Sequence, residues 1–326
     1  MKVAAVLVNY GQWELTRKSI GSLRASTGVD LAVTLVDNCS PGPVPEWVEK
    51  EEGLRFLRLD ENTGYSGGNN EGFRLSLQDG AELTLFLNND ATVMPDTVGI
   101  MASRMEEDPG TGILAPAIYR ASDPGSIWSA GGRLVRWKMR FRQVELPEEA
   151  FQPGRTIETD FVSGCAMMVR TSLFEELGGF REDLFMYYED AELCWRARNA
   201  GFRVRVIPSA SVLHEVGSSS GGEQSVTAMY FSERNRILLS RSMLGPFHRA
   251  VFLIYKTAVL LVYTVRFAAS GDTGLVAWTW KGYLDGLAGR SGNRDGLTGG
   301  KSPRASGSSE GGIGGNNGPG AAGGYR

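Results

Sequence analysis

Asp90, Glu189, Asp190 and His214 are the side chains whose types and settings suit chemistry. Asp90 closes the stretch Leu83-Thr84-Leu85-Phe86-Leu87-Asn88-Asn89-Asp90, in which a short apolar run stops abruptly in three polar residues. Such a run reads as a buried strand of an α/β sheet, apolar on both faces. In open sheets of this kind ligands bind just past the carboxyl ends of the strands. A carboxylate placed there suits a hard, oxygen-loving cation that in turn holds phosphate oxygens. The plainer alternative is that Asn88, Asn89 and Asp90 cap the next turn, where such residues are favoured.

Glu189 and Asp190 open a helical run over 191–200, closed by Gly201. Acids are favoured at that position by the helix dipole, so capping alone would explain them. The functional alternative makes one of them a general base, which needs a carboxylate held rigidly within hydrogen-bond reach of a hydroxyl. The preceding Phe185-Met186-Tyr187-Tyr188 can shape an acceptor pocket. Residues 161–170 read as another buried strand, whose small residues, Gly164 among them, predict close approach by a second group. His214 follows a strand predicted over 202–207 and Pro208. A histidine becomes a ligand when partners converge on it, and Asp90 on the same predicted edge supplies one.

These side chains need a scaffold, and the chain alternates strand and helix patterns. Apolar runs at 3–8, 31–36, 54–59 and 83–87 end respectively at Asn9-Tyr10, Asp37-Asn38, Asp60-Glu61-Asn62 and Asn88-Asn89-Asp90. Helices are predicted between them over 15–23, 47–52 and 70–78. This alternation implies a parallel sheet with right-handed crossovers, in which all four polar clusters share one edge. Buried strands do not need a polar edge for stability, so a shared polar ligand is the economical explanation. The first strand-to-helix turn lacks G-x-G-x-x-G, which argues against a dinucleotide. Residues 62–70 read Asn-Thr-Gly-Tyr-Ser-Gly-Gly-Asn-Asn. This is a glycine-rich turn able to bring backbone and helix N–H groups close to a ligand, or else an ordinary loop.

Taken together, Val-Asn-Tyr at 8–10, Val-Asp-Asn at 36–38, the 62–70 stretch and Leu-Asn-Asn-Asp at 87–90 resemble glycosyltransferase family 2. These are inverting nucleotide-sugar enzymes with a GT-A fold, and the resemblance is closest to the bacterial rhamnosyltransferase-like branch. Residues 178–197, Gly-Gly-Phe-x-Glu-x-Leu-Phe-Met-Tyr-Tyr-Glu-Asp-x-Glu-Leu-Cys-x-Arg-Ala, resemble the family's acceptor-side signature. The resemblance implies that Asp37 holds the nucleobase with Asn9, Tyr10 and Asn38 nearby. It implies that Asn62, Gly64, Gly68 and Asn69 cradle the donor, and that Asn88, Asn89 and Asp90 stand for the D-x-D element, with Asn in its first position. Asp90 and His214 would hold the metal. Asp190 would be the base, with Gly164, Tyr188 and Glu189 bordering the acceptor.

Further along, a helix is predicted over 101–107 and a strand over 112–117. Thr171 is expected to cap a helix over 172–177 that Gly178-Gly179 ends. Trp128, Trp137 and Phe141 among Arg133, Arg136, Lys138, Arg140 and Arg142 read as a solvated hairpin rather than an acceptor surface. Residues 217–222 suit a lid or a linker. Another helix opens at Met229, and its Arg234 and Arg236 are candidates for the diphosphate or for surface salt bridges. Residues 251–269 are apolar, but Lys256 and Arg266 leave a charge-free core over 257–265, short of the roughly 20 residues a span needs. That predicts a helix in the membrane interface, flanked by Arg249, Lys256, Arg266, Trp278 and Trp280. A core helix or a homo-oligomer face is the alternative. From 287 onward a Gly/Ser-rich tail is expected to be disordered.

At 326 residues and 42% hydrophobic, the chain can bury a sizeable core. Lys+Arg 34 against Asp+Glu 37 carries no nucleic-acid signature. Three cysteines, Cys39, Cys165 and Cys194, fit a reducing compartment without disulfides. The first apolar run stops at Asn9, too soon for a signal peptide. The expected organisation is an α/β GT-A fold, with a mostly parallel central sheet flanked by helices and a C-terminal helical extension. Residues 1–100 form its nucleotide-sugar half, 101–228 its acceptor half, 229–286 the C-terminal helices and 287–326 the tail. The expected enzyme moves a sugar, L-rhamnose from dTDP-L-rhamnose before any UDP-sugar, to a lipid-linked or cell-surface polysaccharide, with inversion. Its cofactor would be Mn²⁺ or Mg²⁺, the histidine favouring Mn²⁺. Its place would be cytoplasmic, peripheral on the inner face of the cell membrane. Two rivals are a nucleotidyltransferase and a non-enzymatic, membrane-associated sugar-binding protein. The first wants a basic phosphate-gripping loop where this chain has Asn9-Tyr10-Gly11-Gln12-Trp13-Glu14. The second has no need of Asp90, Asp190 and His214 together.

Overall fold

A computed structural model describes residues 1–216, 225–294 and Leu297. The first hundred residues form β1 (Lys2–Asn9), α1 (Trp13–Arg24), β2 (Asp30–Asp37), α2 (Glu46–Lys50), β3 (Leu54–Arg58), α3 (Gly64–Ser76), β4 (Leu83–Leu87) and β5 (Ala91–Val93). Then follow α4 (Thr97–Glu107), β6 (Thr111–Arg120), β7 (Asp123–Ser129), β8 (Gly132–Val135), β9 (Arg140–Gln143), β10 (Ile157–Glu158), β11 (Ala166–Arg170), α5 (Thr171–Glu176), α6 (Glu189–Asn199) and β12 (Arg203–His214). Three helices end the described chain: α7 (Val226–Met243), α8 (Pro246–Ala269) and α9 (Thr273–Ala288).

One sheet runs in the order β10-β12-β6-β11-β4-β1-β2-β3, with β5 also on β12 and β7 also on β6. β1 to β4 are parallel, so their polar ends do share one edge. β11 enters antiparallel between β4 and β6 and joins the two halves of the chain into one sheet. Alternation along β1 sends Val3, Ala5 and Leu7 to a core with Ile20, Leu23, Met101 and Met105. It sends Val6 to the opposite core with Phe73, Phe86, Phe174 and Phe180. A third cluster packs Ile237, Leu239, Phe252, Leu260 and Tyr283 of the C-terminal helices against Leu184 and Met139.

Several boundaries differ from the sequence reading. α3 begins at Gly64, six residues before the predicted start, so Gly64, Gly68 and Asn69 are helical rather than in a turn. The glycines serve close packing: a Cβ at Gly68 would meet Val8 Cγ1 at 2.8 Å, and one at Gly72 would meet Val6 Cγ1 at 2.4 Å. The strand expected from Phe161 forms only over Ala166–Arg170. The Gly164 N–H and C=O are taken by Asp190 and Tyr65 instead of a ladder. Thr171 does not cap α5; Arg170 holds that position, and the Thr171 hydroxyl bonds that of Thr84 at 3.0 Å. β12 runs through Pro208 to His214, with its register against β6 shifting between Ile207 and Ser211. A bulge is where a strand tolerates a residue without an N–H.

The hairpin of β8 and β9 forms as expected, but Trp128 belongs to β7 and packs its ring, tilted by 59°, against His214. α8 is long and apolar enough to cross a membrane by length and composition, contrary to the shorter span read from its charges. Lys256 is not a flanking cation either: it is fully buried and bonds Glu233 at 2.6 Å. The tail expected from Leu287 starts as the end of α9, and the Gly292 N–H bonds the Asp183 carbonyl at 2.6 Å. The lid at 217–222 and most of the tail lie outside the described residues.

Candidate active site

At the shared edge of β1 to β4 the polar side chains form a hydrogen-bonded hub. Asn9, fully buried, donates to Asp37 Oδ1 at 3.3 Å and to Ser40 Oγ at 3.0 Å. Its carbonyl oxygen accepts from Thr16 Oγ1 at 2.8 Å, from the Gln12 N–H at 3.2 Å and from Asn89 Nδ2 at 3.4 Å. Asp37 is also fully buried; Ser40 bonds its Oδ1, and Arg58 stands 3.4 Å from its Oδ2. Asn38 ties the neighbouring loop, donating to Asn62 Oδ1 at 3.0 Å and to the Gly64 carbonyl at 2.9 Å. Its own oxygen accepts the Thr63 N–H at 2.9 Å. Tyr10 is exposed above this hub and Asn88 is half-buried beside it. The structure therefore gathers Asn9, Asp37, Asn38, Asn62, Gly64 and Asn89. Gly68 and Asn69 are buried in α3, where Asn69 donates back to the Tyr65 carbonyl at 2.9 Å.

Asp90 and His214 meet because β12 pairs antiparallel with β5, setting His214 opposite Ala91. His214 Nε2 and Asp90 Oδ1 are 3.2 Å apart, both buried. Trp128 covers the imidazole with ring centroids 4.7 Å apart, and the Cys165 thiol adjoins it. Burial opposes an imidazolium here, but the Cys165 sulfur and the Asp90 carboxylate outweigh it and raise the His214 pKa to about 10. Burial also holds Cys165 as a thiol, so the charge an imidazolium meets is that of Asp90. One carboxylate oxygen and, once a cation displaces its proton, one imidazole nitrogen are a donor set that suits Mn²⁺ or Mg²⁺ if the remaining positions go to phosphate oxygens and water. Among the described residues no third His, Cys, Asp or Glu completes a protein-only cluster.

Asp190 stands in the first turn of α6. Its Oδ2 accepts the Gly164 N–H at 2.9 Å and its Oδ1 the Ala191 N–H at 2.7 Å. Burial raises its pKa to about 6, although these backbone hydrogen bonds pull the other way. Glu189 beside it is buried, with its pKa raised well above the usual value, first by burial and then by the Asp190 charge. Its Oε2 has no hydrogen-bond partner. The Tyr65 hydroxyl donates to the Gly164 carbonyl at 2.6 Å, so the second group that approaches Gly164 is Tyr65 together with Asp190. A Cβ there would meet Tyr65 at 2.9 Å and Asp190 Cβ at 3.4 Å. Tyr188 precedes α6 in a left-handed conformation, and its hydroxyl reaches toward the Met139 carbonyl at 3.5 Å. Phe185, Tyr187 and Tyr188 have φ of 66°, 66° and 72°. For bulky residues such angles cost on the order of 1–3 kcal/mol each and must be imposed from outside.

The two carboxylate centres meet through adjacent residues. Gly164 holds Asp190, while Cys165 lies against His214 and accepts the Asn88 N–H at 2.8 Å. Arg234 and Arg236 do not join them, contrary to the diphosphate reading. Both are buried, with Arg234 donating to the Leu184 carbonyl at 2.8 Å and Arg236 to that of Met139 at 3.1 Å. Sequence reasoning missed Ser40, Arg58, Tyr65, Trp128 and Cys165. Tyr65 sits inside the quoted 62–70 stretch and Ser40 only three residues after Asp37, so both are in reach of the sequence; Arg58, Trp128 and Cys165 become neighbours only through the sheet.

The profile of Glycosyl transferase family 2 matches residues 4–178, more than half of the chain. Asp190, His214 and α7 to α9 lie beyond that match. The low-salt glycan biosynthesis hexosyltransferase Agl10 of Haloferax volcanii is 27% identical over 297 residues, covering 89% of this chain and 92% of its own. The N-acetylglucosaminyl-diphospho-decaprenol L-rhamnosyltransferase of Mycobacterium tuberculosis is 28% identical over 244 residues, covering 66% of this chain and 76% of its own. The dTDP-rhamnosyl transferase RfbF of Shigella flexneri is 25% identical, covering 70% and 78%. Among solved structures, the mannosyltransferase PcManGT of Pyrobaculum calidifontis in complex with GDP-Man and Mn²⁺ superposes with a TM-score of 0.57 at 15% identity, covering 88% and 87% of the two chains. TarS 1–349 of S. aureus in complex with UDP follows at 0.51 and 16%, covering 89% and 92%. With these likenesses the nucleotidyltransferase and non-enzymatic readings fall away. The matched profile and the mixed sheet with its flanking helices make this chain a member of glycosyltransferase family 2, an enzyme with the GT-A fold.

Proposed function

We propose that the enzyme transfers a sugar with inversion from a nucleoside-diphosphate sugar, dTDP-L-rhamnose before a UDP-sugar, to a hydroxyl of a lipid-linked or cell-surface polysaccharide. The observation that carries this reading is the junction at Gly164 and Cys165, which sets a carboxylate of raised pKa beside a carboxylate–imidazole pair. Two of the relatives, the L-rhamnosyltransferase of Mycobacterium tuberculosis and the dTDP-rhamnosyl transferase of Shigella flexneri, support the donor.

In this reading the nucleotide lies along the edge of β1 to β4, over Tyr10 and against Asn38, Asn62, Gly64 and Asn88. Asn9, Asp37 and Asn89 act from beneath: they are buried and hold Ser40, Arg58 and Thr16 in place. Gly68 and Asn69 act through the packing of α3 against β1. Asp90 and His214 would hold Mn²⁺ or Mg²⁺, which supplies positive charge to the departing diphosphate. Asp190 takes the proton of the acceptor hydroxyl, on the side bordered by Gly164, Tyr188 and Glu189. Its raised pKa brings a carboxylate closer to neutral pH, where a base is most effective. Residues 1–100 then serve the donor, 101–228 the acceptor, and 229–286 buttress the acceptor loop.

The outer face of α8 exposes Phe247, Ile254, Leu261, Val262 and Val265, with Arg249 and Arg266 on the same helix. This supports a peripheral place on the inner face of the cell membrane, where an amphipathic helix buries such a stripe among lipids. The deciding experiment is nucleoside-diphosphate release from dTDP-L-rhamnose, UDP-glucose and GDP-mannose, with Mn²⁺, Mg²⁺ or chelator. Metal-dependent release from dTDP-L-rhamnose is expected; preference for another donor would replace the sugar, and release unaffected by chelator would remove the metal. Membranes washed at alkaline pH should release the protein, and full retention would argue for a span.

A further inference from the structure

Residues 182–190 place Asp190, and the segment's own hydrogen bonds, from the Phe185 N–H to Glu182 and from the Met186 N–H to Leu184, stop short of the carbonyls of Met186 and Tyr187. Three of its four residues from Phe185 to Tyr188 have positive φ, and all three are aromatic. The Ser66 N–H of α3 holds the Phe185 carbonyl at 3.1 Å, and the grip on the carbonyls on either side of it comes from α7. Asn235 is fully buried there, and the two N–H bonds of its Nδ2, one of them shared, serve three carbonyls of the segment: Leu184 at 2.9 Å, Met186 at 2.9 Å and Tyr187 at 2.7 Å. Its Oδ1 accepts Arg234 Nε at 2.9 Å, so the amide is oriented with nitrogen toward the loop. Arg234 also reaches the Leu184 carbonyl, and the Phe185 ring stacks on Phe231 at 5.1 Å. The loop then delivers Tyr188 as the residue before α6, and Asp190 follows in its first turn against the Gly164 N–H.

We propose that Asn235 is a positioning residue for transfer: it clamps the 184–187 backbone in its left-handed course and thereby sets where the Asp190 carboxylate stands. The inference rests on the reading of Asp190 as the base. It assigns a role to α7, which the family profile does not cover. A carboxamide suits the task because it offers donors to the carbonyls and an acceptor to the arginine. An aspartate of the same shape would turn acceptors toward three carbonyl oxygens.

Asn235→Ala is expected to lower kcat for nucleoside-diphosphate release about 10²-fold, the effect of a small misplacement of a reacting group. The KM for the donor sugar and the calorimetric affinity for dTDP should stay near wild type, since the β1 to β4 edge is untouched. In an Asp190→Asn background the same change should cost nothing further, because both act through one group. A full additional 10²-fold loss there would overturn the role of Asn235. Wild-type turnover by Asp190→Asn alone would instead remove Asp190 as the base. Hydrogen exchange supplies a readout free of turnover. The Gly164 amide and the 184–191 segment should exchange faster in Asn235→Ala while β1 to β4 stay protected. Unchanged exchange at Gly164, or loss of protection throughout the sheet, overturns the proposal. If Asn235→Ala does not accumulate folded, Asn235→Ser, which keeps one donor, carries the same measurements with a smaller expected effect.

Discussion

Asn9, Asp37 and Asn89 stand at the ends of neighbouring strands, and their polar atoms are spent on one another and on Ser40, Thr16 and Arg58. Glu189 and Asp190 stand at the end of a distorted loop, buried, with one Glu189 oxygen lacking any hydrogen bond and both pKa values raised. The proposed donor-side edge is thus largely held by its own hydrogen bonds before any ligand arrives, with Asp37 Oδ2 the exception: it is buried without one, 3.4 Å from Arg58. The acceptor side keeps buried carboxyl groups under-solvated, a costly state that proteins retain where chemistry needs it. The same contrast appears in the backbone. The donor edge uses regular strands, while the acceptor side needs three left-handed aromatic residues.

If that contrast is right, the two sides break differently. Asp190→Asn should reduce sugar transfer by about 10²–10⁴-fold, the usual contribution of a positioned base, with nucleotide affinity near wild type by calorimetry. Should Glu189→Gln cripple transfer while Asp190→Asn does not, the two carboxylates exchange roles. Asp90→Ala and His214→Ala should each weaken the activating effect of Mn²⁺ by about 10–10²-fold in a metal titration, at least the effect of losing a supporting residue at a metal site. A metal response unchanged in both variants would take the cation away from this pair.

The pH profile separates the sides again. With Asp190 as the proposed base, needed as a carboxylate, kcat/KM should hold above its pKa of about 6 and fall about tenfold per pH unit below it. The limb belongs to the Glu189–Asp190 pair as a whole, since the Asp190 charge is one of the causes that raise Glu189. Asp37→Ala releases Ser40 and Arg58 and should thereby weaken dTDP or UDP binding by about tenfold, the scale of one lost charged hydrogen bond, and leave turnover of bound donor intact. Unchanged affinity would remove Asp37 from the nucleotide site.

The smallest effect sharpens the donor side. A Cβ at Gly68 meets the Val8 side chain at 2.8 Å, so Gly68→Ala should cost roughly 1–3 kcal/mol in denaturant unfolding through overpacking. Nucleotide affinity of the folded fraction should be unchanged. A loss of affinity without a loss of stability would return Gly68 to the ligand.

Much of this protein was legible as sequence, and the exceptions share a cause. The parallel strands of the first hundred residues and their polar ends were read correctly, because each is a local run whose apolar pattern depends on near neighbours. α3 was read as starting too late, because the glycines of 64–72 resemble a turn until β1 is seen packed on them. As sequence, Arg234 and Arg236 suit a diphosphate or surface salt bridges and Lys256 the flank of a membrane-interface helix; all three are buried, on carbonyls and on Glu233. Charge in a sequence says that a partner is needed and is silent on which one.

By itself the sequence determined the alternation of strands and helices, the polar edge they share, and the acidic start of α6, since hydrogen-bond geometry and side-chain periodicity act over a few residues. Only the tertiary structure decided that β12 would set His214 opposite Ala91, that Gly164 and Cys165 would join the two carboxylate centres, and that Asn235 would grip the loop before Asp190. Those placements depend on strand register and on the packing of α7 against a distant segment. Register and packing are set by contacts between parts of the chain whose separation leaves no periodic trace in the residues themselves.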